Sequence, residues 1–210
     1  MYKLKVIAKI TTVLSGLFLL LVVTACDQPQ KAEDLYTLTA YSQANKLRAV
    51  IEIPAGTNKK IEFQPKTNTF VVDKRDDKDR VIDYLPYPGN YGFIPGTYSD
   101  PDKGGDGDAL DILVLCESLP TATVVEVYPI AVLPLIDEGE QDYKIIAIPV
   151  DIKLQTITAR NLSDLRQNYP QIEQIISQWF LNYDRGNTLQ LNAMGDTAIA
   201  KLEIQKHLKS

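Results

Sequence analysis

Apolar positions along this chain recur in two periods, and the switch between them divides it. From Arg48 onward, short runs follow the β pattern: Ala49-Val50-Ile51-Glu52-Ile53, Lys60-Ile61-Glu62-Phe63, Thr69-Phe70-Val71-Val72 and Arg80-Val81-Ile82-Asp83-Tyr84. Turn residues separate them, among them Pro54-Ala55-Gly56 and Pro65-Lys66-Thr67-Asn68. Strand-like runs resume at 111–115, 123–135 and 143–150. Between the two groups, residues 86–108 are rich in Gly, Pro, Asp and Tyr. They read as a long irregular segment, a kind that is usually functional inside a compact domain. Near the end the period lengthens. Ile172, Ile175, Ile176, Trp179, Phe180 and Tyr183 fall on one helix face, with Pro170 suited to its first turn. Asn161 or Ser163 suits the cap of a shorter helix before it, and Asp196 that of a last helix carrying Ile199 and Leu202. Many short strands followed by two or three helices predict an α+β domain: a small β-barrel with helices packed outside.

The first residues follow a third pattern. Lys3, Lys5 and Lys9 precede an apolar stretch, Val13 to Val23, broken only by Ser15 and Gly16. Val23-Thr24-Ala25-Cys26 follows. This is the layout of a bacterial secretory signal. The stretch is short for a membrane-spanning helix, which needs about 20 apolar residues. The small residues before Cys26 resemble the lipobox of bacterial lipoproteins, whose signal is cut before the cysteine and whose cysteine is then lipidated. The expected organisation is a signal peptide at 1–25, a lipidated terminus and polar tether at 26–46, and one domain at 47–210. Several acyl chains on Cys26 would anchor the protein firmly, since a single chain holds only marginally. The expected location is a membrane surface facing the periplasm or the exterior, or the cytoplasm if the signal is not used.

Charge narrows the chemistry. The chain carries 22 basic and 27 acidic side chains, a formal net charge of −5. Without the three lysines of the signal the remainder stands at −8. Such a domain is a poor partner for nucleic acid. It also suits an anionic substrate only if metal ions reverse the sign locally. With Cys26 lipidated, Cys116 is the sole free thiol and no disulfide framework exists within the chain. The single histidine, His207, all but excludes a histidine zinc site or a Ser-His-Asp triad.

The densest chemistry lies in Gly104-Gly105-Asp106-Gly107-Asp108-Ala109-Leu110-Asp111-Ile112-Leu113-Val114. Three carboxylates within six residues repel unless a cation sits among them, and a hard divalent ion such as Mg²⁺ is the natural one. Asp111 opens an apolar run, so its carboxylate is drawn inward, where a bare charge is costly. Asp100, Asp102, Asp106, Asp108 and Asp111 also fall at positions 1, 3, 7, 9 and 12 of a calcium loop. Against that reading, the flanks look like loop and strand rather than two helices. A second acidic group, Asp137-Glu138-Gly139-Glu140-Gln141-Asp142, precedes Lys144. Alone it reads as a charged hairpin turn. With the first group it would complete a site for more than one metal.

These motifs together resemble the soluble family I inorganic pyrophosphatases. Asp106-Gly107-Asp108-Ala109-Leu110-Asp111 resembles the family signature, departing only at Ala109. Ile51-Glu52-Ile53-Pro54 resembles its first acidic strand, and Lys60 with Glu62 its Lys-x-Glu pair. Tyr87-Pro88-Gly89-Asn90-Tyr91-Gly92 resembles its Tyr-Pro-x-Asn-Tyr-Gly segment. Asp137, Asp142 and Lys144 resemble its Asp-x4-Asp-x-Lys segment, and Trp179 to Tyr183 the end of its long helix. The similarity runs in order from about residue 48 to 185.

The resemblance implies a five-stranded OB-like barrel with flanking C-terminal helices and hydrolysis of diphosphate to two phosphates. It implies several Mg²⁺ ions per site, with Mn²⁺ or Zn²⁺ as substitutes. Asp106, Asp108, Asp111, Asp137 and Asp142 would bind metal, with Glu52 acting from behind them or through metal-bound water. Asp108 would also orient or deprotonate the attacking water. Lys60, Arg80, Lys144, Tyr87, Tyr91 and Tyr183 would contact phosphate oxygens. The catalytic group would be Asp108, Tyr91, Arg80 and Lys60, with Glu62 supporting it. Spacing also admits Lys74 or Arg75 in place of Arg80. Relatives are often hexamers or dimers, which leaves room for a homo-oligomer. One position departs more sharply: after Tyr183 the family usually has Lys, and this chain has Asp184, then Arg185. That negative group keeps a second reading open, a lipoprotein on the same fold that binds phosphate or metal without turnover.

Overall fold

The computed structural model describes residues 34–184, 186 and 189–209. The expected signal peptide, Cys26 and the start of the tether lie outside the described residues, as does Arg185. The chain forms strands β1 (Leu47–Ile53), β2 (Ile61–Gln64), β3 (Thr69–Val72), β4 (Lys74–Arg75), β5 (Lys78–Asp79) and β6 (Asn90–Phe93). There follow β7 (Asp111–Val114), β8 (Val124–Leu133), β9 (Leu135–Asp137), β10 (Glu140–Gln141) and β11 (Lys144–Pro149). Helices α1 (Leu162–Asn168) and α2 (Ile172–Asn182), strand β12 (Leu189–Leu191) and helix α3 (Thr197–His207) complete it.

Five strands close into a barrel in the order β1-β6-β7-β11-β8, with β8 returning to β1. Only β7 and β11 run parallel. The expected five-stranded barrel with C-terminal helices is therefore the architecture of the chain. The barrel wall buries both faces, since successive strand residues point to opposite sides. Ala49, Ile51, Ile112, Val114, Ile145 and Ala147 pack together with Ala200 and Ile204 of α3. Ile53, Leu113, Ile130, Leu133, Ile146 and Ile148 pack beneath Leu162 and Leu165 of α1 and Ile176, Trp179 and Phe180 of α2. Each such aliphatic side chain, fully buried, contributes about 1.5–3 kcal/mol.

The helix termini follow their local chemistry. The Asn161 side chain accepts from the Asp164 N–H, and Asp196 accepts from the Ala198 and Ile199 N–H groups. Pro170 lies just before α2, not in its first turn. The last helix, α3, carries Ile199 and Leu202 as expected, but both are exposed, and it docks through Ala200 and Ile204.

Three other expectations change. The run at 80–84 forms no strand, only an isolated bridge between Lys59 and Val81. Its backbone is used across the chain instead: the Lys60 N–H donates to Arg80 O, and the Ile82 N–H to Asn58 O. The run 123–135 splits at Pro134 into β8 and β9. Conversely, β6 is a barrel strand inside the segment read as irregular. It is hard to see locally because it holds Asn90 and Gly92 rather than β-branched residues.

Residues 34–46, read as tether, lie on the barrel. The Tyr36 ring stacks on Phe63 at 5.6 Å and tilts against Phe93 at 5.1 Å. Ala40 is buried, and its carbonyl accepts from the Arg48 N–H.

Gly92 is where the ring is tightest. It pairs with Ile51, and a Cβ there would stand 1.9 Å from the Val50 carbonyl oxygen. Gly92→Ala is therefore expected to part β1 from β6 and cost about 3 kcal/mol or more in urea unfolding. Gly56→Ala is the comparison. There φ is +80° but the space is open, so only about 1 kcal/mol of strain is expected. Equal losses at the two sites would refute the close-approach argument.

Candidate active site

The parallel register of β7 and β11 sets Asp111 directly opposite Lys144. The Lys144 ammonium, buried at 3% exposure, donates to Asp111 Oδ2 and to Asp142 Oδ1. Asp111 Oδ2 also accepts from the Tyr91 hydroxyl, carried by the neighbouring strand β6. Burial opposes the charge on Lys144, yet the two carboxylates hold it charged and raise its pKa. Burial likewise pushes Asp111 up to about 6, against the pull of Lys144.

Around this pair opens a cavity of about 610 Å³. Every residue that the sequence singled out for metal or phosphate lines it: Glu52, Lys60, Glu62, Arg80, Tyr87, Tyr91, Asp106, Asp108, Asp111, Asp137, Asp142, Lys144 and Tyr183. Nine carboxylates and four cationic side chains form the wall. The excess of negative charge gives the cavity little affinity for a bare anion.

Local structure explains how each group arrives. Glu52, on β1, accepts from the Phe63 N–H at 2.7 Å, and burial pushes its carboxyl up to about 8. Lys60 and Glu62 form an ion pair at 2.8 Å, where β2 begins. Gly105 packs so closely on Ser99 that a Cβ would meet its carbonyl carbon at 2.6 Å. That contact, with the bridge between Gly105 and Gln141, sets the loop that presents Asp106 and Asp108 at the exposed edge. Asp106 Oδ1 accepts from the Asp108 N–H at 3.0 Å. Asp100 and Asp102 lie outside the cavity lining, and the loop runs into β7 rather than a helix, unlike a calcium loop.

The tyrosines belong to an aromatic stack as well as to the cavity. Trp179 lies parallel to Tyr183 at 4.8 Å and against Tyr87 at 4.5 Å, while Tyr87 meets Tyr91 at 5.3 Å. The Trp179 indole N–H donates to Leu85 O at 2.8 Å. Packing fixes the rings, and burial raises the pKa of all three tyrosine hydroxyls, keeping them as neutral donors. Asn90, between Tyr87 and Tyr91 in sequence, serves the scaffold. Its side chain bonds Ala55, Leu119 and Glu117 backbone groups.

Sequence reasoning gave too little weight to two groups and missed Tyr36. Arg75 lines the cavity beside Arg80, whereas Lys74 does not. Asp184 accepts from Arg80 Nη2 at 2.6 Å and Arg75 Nη2 at 2.7 Å. These bonds, Arg75 first, hold its carboxyl below the usual carboxylate range. Glu138, Glu140 and Tyr36 also line the cavity. Tyr36 lay in a polar stretch with no periodic signal, and its hydroxyl accepts from the Ala109 N–H at 3.3 Å.

The donor set fits hard divalent cations: carboxylate oxygens crowd one wall, and a buried ammonium already sits between two of them. Among the described residues, no three acidic, thiol or imidazole groups converge closely enough to hold an ion as they stand.

Barrel and cavity together define a class: a scaffold presenting many carboxylates and a few fixed cations to one pocket, the equipment of a metal-assisted phosphoryl hydrolase. The chain belongs to the inorganic pyrophosphatase family, whose model matches residues 49–210. It is 32% identical over 164 residues to the inorganic pyrophosphatase of Neisseria meningitidis serogroup B, covering 78% of this chain and 87% of that one. Against the enzyme of Sulfolobus acidocaldarius it is 32% identical over 167 residues, covering 78% and 90%. The crystal structure of inorganic pyrophosphatase from Thermus thermophilus superposes with a TM-score of 0.70 at 28% identity, over 84% of this chain and 97% of that one.

If the carboxylates take up metal, Mg²⁺ stabilises the fold by about 2.7 kcal/mol at a hundredfold excess over its Kd. A thermal midpoint rise of about 5–10 °C is expected, reversed by EDTA. Asp106→Asn keeps its bond from the Asp108 N–H and is expected to reduce the rise. An unchanged midpoint with Mg²⁺ would remove the metal assignment.

Proposed function

We propose that this chain hydrolyses inorganic pyrophosphate to two phosphates in the cavity beside Lys144. The observation that carries the reading is the meeting, in one cavity, of a carboxylate-rich wall with Lys60, Arg75, Arg80 and Lys144. Family membership supports it.

In this reading Asp106, Asp108, Asp111, Asp137 and Asp142 hold Mg²⁺, with Glu52 behind them. Several ions bind per site, and Mn²⁺ or Zn²⁺ substitutes. When bound, the ions supply charge neutralisation for the substrate and acidify water. Asp108, at the exposed edge, orients the attacking water and takes its proton. Lys60, Arg75, Arg80 and Lys144 hold phosphate oxygens and stabilise charge that moves to the leaving phosphate. Tyr87, Tyr91 and Tyr183 supply neutral hydroxyl donors from their packed rings. Tyr91 donates to Asp111 in this structure, so its first task is to hold that carboxylate. Glu62 keeps Lys60 in place.

Asp184 was the feature that favoured a binder without turnover. Two arginine partners neutralise it, and that argument loses its force. Phosphate release from Mg-pyrophosphate is the decisive assay. Asp108→Asn is expected to lower kcat about 10²–10⁴-fold, the usual contribution of a positioned acid–base group. Wild-type release no faster than this variant's would sink the enzyme reading.

The same reading puts the enzyme outside the cytoplasm, anchored through lipid on Cys26. The basic start, apolar stretch and small residues before the cysteine support this. Labelled palmitate is expected to enter the wild type, and Cys26→Ser is expected to leave the membrane fraction. A Cys26→Ser protein that remains membrane-bound contradicts it.

A further inference from the structure

Asp184 stands where the resemblance leads one to expect a lysine, yet it does not face the cavity as a bare charge. Its Oδ2 accepts from Arg75 Nη2 and Arg80 Nη2 at 2.7 and 2.6 Å. Its Oδ1 accepts from the Gly186 N–H at 3.2 Å and, at 3.4 Å, from Arg75 Nη1. Its side chain is only 8% exposed, whereas that of Arg75 is 53% exposed. Arg75 needs the anchor. It sits on β4, half of a hairpin with only two paired positions, whose turn residues Asp76 and Asp77 both have positive φ. An exposed arginine on so small an element has many rotamers to lose on binding substrate. Arg80 is held from a second side by Asp73 Oδ2 at 3.3 Å.

Two guanidinium groups so close repel, and one shared carboxylate oxygen holds them together. Both line the cavity. Each carries five N–H donors in a planar fork that matches phosphate oxygens, and the bonds just named leave donors on both.

We propose that Asp184 is a positioning residue, holding Arg75 and Arg80 side by side as a two-guanidinium clamp for one phosphate of the substrate. The proposal rests on the pyrophosphatase reading and assigns the clamped group a phosphate of Mg-pyrophosphate. It makes the β4–β5 hairpin, outside the barrel, part of the substrate site.

Charge and positioning predict opposite signs here. If Asp184 acts only as a negative charge, its removal tightens binding of an anion. If it holds the clamp, removal weakens it. Two readouts on full-length protein separate them: steady-state hydrolysis of Mg-pyrophosphate, and calorimetric binding of Mg-methylenediphosphonate, which is not hydrolysed. Asp184→Asn is expected to raise KM and weaken analogue binding about tenfold, with a smaller change in kcat. Arg75→Gln is expected to do the same, Arg75→Lys not to restore it, and the double variant to be no worse than either single one. Asp184→Glu is expected to recover part of the loss.

Tighter or unchanged binding in Asp184→Asn overturns the clamp, as do additive losses in the double variant. Should Asp184→Asn fail to fold, the exposed Arg75 variants decide: unchanged analogue binding in Arg75→Gln overturns it. A wild type that binds the analogue with this coupling but does not turn over pyrophosphate leaves the clamp standing and removes the enzyme reading. A wild type that does not bind the analogue removes the clamp.

Discussion

Lys144 carries its charge into the barrel wall, and Asp111 and Asp142 make that tolerable. A buried ammonium costs several kcal/mol unless its partners are well placed. Here the placement is a matter of strand register. β7 and β11 are the one parallel pair in the ring, and their alignment puts Asp111 beside Lys144. A register slip of one residue would turn these side chains to the other face. It would bury a carboxylate and an ammonium among Ile112, Val114, Ile145 and Ala147. Barrel closure and site geometry are therefore one constraint.

The same logic of shared charge recurs across the cavity. On one side carboxylates outnumber cations. On the other, Asp73 and Asp184 gather Arg75 and Arg80, and Glu62 steadies Lys60. An acidic protein thus gathers fixed cationic donors on one side of a carboxylate-rich cavity. The aromatic stack of Trp179, Tyr183, Tyr87 and Tyr91 joins these two sides to α2, so helix packing also orients hydroxyl donors.

Much of this was legible locally. The carboxylates of 106–111 and 137–142 lie on two short stretches, and their spacing carries the chemistry without a fold. The helix face of α2 and the apolar runs of β1, β7 and β11 were equally plain. Other elements were hidden because their stabilisation is distant. β6 looks like loop since Gly92 is required by the Val50 carbonyl of another strand. The run at 80–84 looks like strand, but its backbone bonds go to residues 58 and 60. Tyr36 sits in polar sequence and is recruited by Phe63 and Phe93.

The case of Asp184 marks the boundary. Sequence could say only that a negative residue replaces an expected positive one. Tertiary structure decides that its partners are arginines 109 and 104 residues away, so the negative charge is paired rather than bare. By itself the sequence determined the inventory of carboxylates and cations, the β-then-α order and the family likeness, because these depend on spacing along the chain. Which carboxylate pairs with which cation was left to the closed barrel, because ion pairing follows distance in space and only strand register and hairpin placement set that distance.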